Sequence, residues 1–384
     1  MENITVSIKN KQIGELFYDE SLHQYGFNYN NDVAPISLTM PFKNSTYLWQ
    51  NKLHPIFDMH MPEGYLFEVF KNYLNKKHGF INDFLIFSYL SANIQSRLEF
   101  KSEFAVKKFK SLELSYILQN DDNDTFLKLV KMFLSKNSIS GIQPKTIAVV
   151  KDKEALNYRE YIVKTWGDEY PQLALNEYFC LKAVQESGVT IPHIHLSNNN
   201  KFLLVERFNY DKKNNKFLGF EEVLGLMGKN SSQKYTGSYE QVAKLIYKIT
   251  TDKIADMTNF YKIMVMNYLL KNGDAHLKNF GIIYNDDFSV IKLAPAYDIV
   301  NTVAYLYDDK PALTMFGKKV WFGKKDLLKF GIKHCYLSKT QANRCYQDCF
   351  LSLQENHQKL KKYIKTNPDF VNIGTKMLDS WRVE

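Results

Sequence analysis

Asn272-Gly-Asp-Ala-His-Leu-Lys-Asn279 places a carboxylate, Asp274, five residues before an amide, Asn279, and an apolar segment, 280–284, follows at once. That segment turns at Asn285-Asp-Asp287 and returns as 289–293, so a hairpin is expected whose first strand begins where its second ends. Asp298 therefore arrives beside Asn279. A carboxylate and an amide meeting at the open end of a hairpin offer hard oxygen donors, which suit a magnesium ion held against phosphates. Alone, an Asp and an Asn in a polar loop make a common turn. The hairpin and the second Asp separate this stretch from that case.

Protein kinases use the same Asp-to-Asn spacing: the Asp orients or deprotonates the acceptor hydroxyl, and the Asn holds magnesium against the ATP phosphates. Asp274 suits the first role, and Asn279 with Asp298 suits the second. Upstream, the apolar runs 147–150 and 161–163 read as a hairpin, and a helix is expected over about 171–186, with Gly188 past its end. Lys164 closes the hairpin. Glu177 lies on the apolar stripe of the helix, where a carboxylate needs a cationic partner. Kinases provide this pair as a phosphate-gripping strand lysine and the helix glutamate that positions it.

The loop Ser138-Ile-Ser-Gly-Ile-Gln-Pro-Lys145 matches no glycine-rich phosphate motif, yet the hairpin puts it at the same end as Lys164. Ser140, Gly141 and Lys145 could meet phosphates there. The plainer reading of Ser138 and Ser140 is two ordinary turn serines. Val205-Glu-Arg-Phe208 ends an apolar strand and offers Glu206 and Phe208 as a hinge against adenine, or as a mere strand end. His276 and Lys278 fit either a nucleotide contact or a structural place.

The chain has 384 residues, 45% of them hydrophobic and 15% aromatic, which suits a folded protein of two or three lobes rather than a disordered one. Its net charge of +9 comes mainly from scattered lysines. The densest cluster, Lys318, Lys319, Lys324 and Lys325 around Trp321 and Phe322, is a surface turn or a phosphate contact. Four cysteines, 180, 335, 345 and 349, include no CxxC pair, so no zinc site is expected. No signal-like segment and no run of eighteen apolar residues appears, which points to the cytoplasm and away from a membrane. Short alternating segments at 4–8 and 12–17 around Asn10-Lys11 open the chain as a hairpin. Helical spacing marks 65–74, 241–248, 259–271 (ending at Asn272-Gly273) and the region after 325, with Ser338-Lys-Thr-Gln341 as a capping box.

In order, Ser-Ile-Ser-Gly-Ile-Gln-Pro-Lys (138–145), Ile-Val-Lys (162–164), Asn-Glu-Tyr (176–178), Val-Glu-Arg-Phe (205–208), Gly-Asp-Ala-His-Leu-Lys-Asn (273–279) and Ala-Pro-Ala-Tyr-Asp (294–298) resemble the HipA family of bacterial toxin serine/threonine kinases. The opening, with Leu38-Thr-Met-Pro41 and Met61-Pro-Glu63, resembles that family's small N-terminal subdomain. The serine pair in 138–140 is closer to its HipT branch. The resemblance implies an α+β, bilobal, protein-kinase-like fold of atypical class. Residues 1–105 would form a small β-containing N-terminal subdomain, 106–208 a kinase N-lobe and 209–384 a mainly helical C-lobe. It implies ATP with Mg2+, autophosphorylation at Ser138 or Ser140, and a protein substrate such as an aminoacyl-tRNA synthetase. It also implies a HipB-like helix-turn-helix antitoxin, through which DNA would be reached.

Asn272-Gly-Asp274 stands where eukaryotic kinases have His-Arg-Asp, and Tyr297-Asp-Ile299 where they have Asp-Phe-Gly. Asp-x-His-x-x-Asn also resembles the loops of phosphoinositide kinases and antibiotic phosphotransferases. A lipid or small-molecule phosphotransferase is thus the alternative within enzymes, and a non-catalytic module binding a repressor and DNA the alternative outside them.

Overall fold

The computed structural model describes residues 3–381 except 31–32, 62–66, 68–70, 72–73, 76, 92–93, 105–111, 123, 126–127, 130–144, 152–157, 166 and 168; of 145–151 and 158–160 it describes the strand path alone. Strands β1 (Ile4–Ile8), β2 (Lys11–Asp19), β3 (Gln24–Tyr29), β4 (Tyr47–Gln50) and β5 (Glu99–Lys101) form an antiparallel sheet in the order β4-β3-β2-β1-β5. Alternation decides its faces: Ile4, Val6 and Ile8 turn inward. They pack with Phe27, Phe100, Ile56 and Phe57 of α1 (Pro55–Asp58), and Phe84 and Phe87 of α2 (Asp83–Ser91). The first turn lies one residue earlier than Asn10-Lys11. Lys9 and Asn10 take the left-handed φ values, 51° and 61°, which a tight two-residue hairpin requires. Most of the helical stretch expected at 65–74 lies outside the described residues.

After α3 (Leu114–Gln119) comes a second antiparallel sheet, β6 (Lys145–Lys151), β7 (Tyr158–Lys164), β8 (Ile194–Leu196) and β9 (Leu203–Glu206), in the order β6-β7-β9-β8. Tyr161, Val163, Phe202, Leu204 and Ile117 make its small core. Helix α4 (Leu173–Glu186) connects β7 to β8. Its buried Cys180, Leu181 and Val184 join the large core of the C-terminal half.

That half adds the short hairpin β10 (Tyr210–Asp211) and β11 (Lys216–Phe217), then a sheet of β12 (Gly219–Glu222), β13 (Gly281–Tyr284) and β14 (Ile291–Leu293), centred on β13. The helices are α5 (Val223–Leu226), α6 (Tyr239–Ile249), α7 (Lys253–Leu269), α8 (Lys324–His334), α9 (Lys339–Thr366) and α10 (Val371–Ser380). The capping box at Ser338 forms, with Gln341 N donating to Ser338 Oγ at 3.2 Å and Ser338 N to Gln341 Oε1 at 2.9 Å. Helix α7 begins earlier than 259, because Asp252 accepts from Ala255 N at 3.1 Å and caps it. Asn272-Gly273 is not its left-handed stop. Lys271 takes that conformation, φ 61°, and Asn272 N donates to Asn267 O at 2.9 Å in a Schellman-type closure.

The N-terminal sheet docks on the C-terminal one through two buried charges. Glu221 accepts from Ser37 Oγ (2.7 Å), Leu38 N (2.8 Å) and Tyr284 Oη (2.7 Å). Arg97 donates to Asp286 Oδ1 (3.2 Å) and to Pro35 O (3.0 Å) while lying over the Tyr284 and Phe288 rings.

Candidate active site

A cleft of about 560 Å³ runs between the second sheet and the β12–β14 sheet, and Lys164, Glu177, Glu206, Phe208, Asp274, His276, Asn279 and Asp298 all line it. Antiparallel pairing of β13 with β14 brings Asn279 and Asp298 together, as the hairpin spacing requires. Asn279 Nδ2 donates to the carbonyl of Asp274 at 2.9 Å and lies 3.4 Å from that of Asp298. With Nδ2 so engaged, the amide oxygen is the atom suited to ligate a cation. Asp298 holds a left-handed backbone, φ 55°, uncommon for a residue with a side chain. Contacts on both its carbonyl and its carboxylate hold it there.

Lys164 ends β7, is nearly fully buried, and forms ion pairs with both Glu177 and Asp298. Burial disfavours its charge, but the carboxylates of Asp298 and Glu177 outweigh that and raise its pKa above the ordinary lysine value. The residue before Glu177 locks the same segment. Asn176, fully buried on α4, donates to Asn301 O (2.9 Å) and accepts from Asn301 N (2.8 Å). The Asn-Glu dipeptide thus ties α4 to the Asp298 strand exit by one side chain and to the β7 lysine by the other.

Asp274 lies on the loop after α7. Gly273 precedes it where a Cβ would stand 1.9 Å from Asp309 Oδ2 and 2.7 Å from Thr302 Oγ1, and its own N–H donates to that hydroxyl at 2.8 Å. The Asp274 side chain is 37% exposed. Burial pushes its pKa up, with Asp298 and Asp309 adding to the effect, while the Tyr235 phenol and Lys234 pull it down. His276 is buried beside it, Nε2 lying 3.9 Å from Asp274 Oδ1. Lys278 is buried too, 3.7 Å from Glu222.

Glu206 ends β9, donates its N–H to His193 O at 2.8 Å and pairs with Lys212. Phe208 packs between Tyr297 (centroids 5.4 Å apart, stacked) and Phe220 (5.3 Å). Ser138, Ser140 and Gly141 lie outside the described residues. Of Lys145 the backbone is described, paired with Lys164 across β6 and β7. Asp298 and Asn279 fit a magnesium ion, which needs only one or two protein oxygens when phosphates complete its shell. Among the described residues no cluster of three His, Cys, Asp or Glu could hold a metal by itself. Sequence reasoning missed Tyr235, Thr302, Asp309 and the Lys278–Glu222 pair; their contacts follow no spacing that one loop could reveal.

The sequence profile of the HipA-like C-terminal domain matches residues 137–356, and that of the HipA N-terminal domain matches residues 4–101. The chain belongs to the HipA family. Over 186 residues it is 33% identical to a Haemophilus influenzae protein named "Putative kinase", covering 44% of this chain and 53% of that protein. Over 204 residues it is 25% identical to a Sinorhizobium fredii protein named "Putative kinase Y4dM", covering 47% and 49%. The chain spans about half the length of these curated relatives. In fold it is similar to the HipA chain solved with HipB and operator DNA from the Shewanella oneidensis MR-1 toxin–antitoxin system. The TM-score is 0.73 at 16% identity, over 98% of this chain and 96% of that one. The α+β class and the HipA resemblance expected from the motifs hold.

Proposed function

We propose that this HipA-family chain is an ATP- and magnesium-dependent serine/threonine protein kinase, the toxin of a type II toxin–antitoxin pair. The observation that carries the reading is Lys164 joined at once to Glu177 and Asp298, with Asn279 against Asp298 and Asp274 on the same loop. Asp274 orients the acceptor hydroxyl and takes its proton as that oxygen bonds to the γ-phosphorus and ADP leaves. Lys164, set by Glu177, grips the α- and β-phosphates, and Asn279 and Asp298 would hold a magnesium ion, which would supply charge to offset that of the transferring group. Glu206 and Phe208 face adenine; Ser140, Gly141 and Lys145 bound the phosphates, and His276 flanks them.

The substrate in this reading is a translation protein such as an aminoacyl-tRNA synthetase, and Ser138 or Ser140 takes the self-regulatory phosphate. A HipB-like helix-turn-helix antitoxin binds the chain and brings it to DNA, as its namesake accompanies the Shewanella HipA. In this reading residues 1–105 form the N-terminal subdomain, 106–208 the kinase N-lobe and 209–384 the C-lobe. The reading places its action in the cytoplasm; among the described residues no helix is long and apolar enough to cross a membrane. Phosphoproteomics after induction tests the reading. New serine or threonine phosphosites should appear with the wild type and be absent with Asp274→Asn; identical phosphoproteomes would refute a protein acceptor.

A further inference from the structure

Tyr235 donates its phenol hydroxyl to Oδ1 of Asp274 at 2.8 Å. The residue is 41% exposed, yet its position is fixed. Its ring stands edge-on to His276 with centroids 5.1 Å apart. The backbone is pinned on either side, with Leu277 N donating to Lys234 O at 3.1 Å and Lys319 Nζ lying 3.5 Å from Tyr235 O. Ser231 Oγ, a few residues earlier, donates to Asp58 Oδ2 of α1 at 3.0 Å, which ties the segment to the N-terminal unit.

A carboxylate that receives an acceptor proton has two oxygens to divide between partners, and one held by a fixed donor leaves the other aimed. On Asp274 both Tyr235 and His276 lie on the Oδ1 side. We propose that Tyr235 is a positioning residue for phosphoryl transfer: its phenol holds Oδ1 and turns Oδ2 toward the acceptor. The role rests on the kinase reading of Asp274. In the step itself the acceptor oxygen bonds to the γ-phosphorus, the bond to ADP breaks, the acceptor's proton goes to Oδ2, and the Tyr235 proton stays on its own oxygen.

The test is ADP release from Mg-ATP by the full chain at neutral pH, with water or its own serines as acceptor, over a range of ATP concentrations. Wild type, Tyr235→Phe, Tyr235→Ala and Asp274→Asn are compared. Both tyrosine variants should lose roughly 3- to 10-fold in kcat and keep the KM for ATP. A Tyr235→Phe kcat equal to wild type overturns the role. So does a lower kcat with a raised KM for ATP, which marks mere structural damage, and so does a faster rate, which marks the phenol as a plug. Asp274→Asn separates the two claims: if it turns over ATP like wild type, the kinase reading falls and this role with it, whereas an inactive Asp274→Asn beside an unaltered Tyr235→Phe removes only the role of Tyr235.

Discussion

Lys164 answers to two carboxylates, one on α4 and one at the exit of β14, so its charge is set by the register of three elements. Lys164→Ala should weaken nucleotide binding by at least about tenfold in calorimetric titration, and a double-mutant cycle with Glu177→Gln should be strongly non-additive. Simple additivity would separate the two residues. For Asp274 the pKa is raised, so the folded state binds the proton more tightly than the unfolded chain, and ionisation at neutral pH works against folding. Asp274→Asn should therefore melt higher than wild type near pH 7, and the gap should close as pH falls through the range where Asp274 takes up its proton. A melting temperature below wild type at neutral pH contradicts that sign. The convergence of Asp274, Asn279 and Asp298 was legible in the sequence because a loop of fixed length and one hairpin bring them together. Tyr235 was not, since its bond to Asp274 spans 39 positions and its own loop carries no pattern.

At the scale of elements, local signals read well where they are chemical and poorly where they are steric. The capping box at Ser338 was visible as Ser-x-x-Gln and starts a helix of 28 residues. Ser338→Ala should cost about 1 kcal/mol in denaturant unfolding, with no change in activity. The end of α7 was misread at its glycine. Lys271, not Gly273, carries the left-handed turn, while Gly273 is small because Thr302 and Asp309 crowd the base of the loop that bears Asp274. Gly273→Ala should consequently displace Asp274 and lower turnover by roughly tenfold or more while changing stability little, because the atoms it meets end movable side chains. A large loss of stability with normal turnover would show the glycine serving the helix instead. The expected start of α7 at 259 missed its residues 253–258 because exposed Ile254 breaks the apolar stripe and Asp252 sets the cap from outside it.

For the molecule as a whole, the N-terminal unit is held to the cleft by Arg97 and Glu221, whose partners are far apart in the chain and were not readable from it. Arg97→Ala removes the donor that serves the carbonyls of Pro35, Ile36 and Asp286, while the Asp286 carboxylate keeps Lys9 and Lys216, and should cost about 2 kcal/mol. Hydrogen exchange should then show β1 and β5 losing protection ahead of α9. The N-terminal unit also supplies Ile56, Met59 and Leu98 to the cleft wall, so its docking bears on the site itself. The central claim is that Asp274 directs transfer of the γ-phosphoryl of ATP, with the chain's own loop serines among the acceptors. Intact-mass analysis of the full chain incubated with Mg-ATP, wild type beside Asp274→Asn, tests it most directly. The account predicts added phosphate on wild type, mapping to Ser138 or Ser140, and none on Asp274→Asn; equal phosphate on both proteins, or none on either, would contradict it.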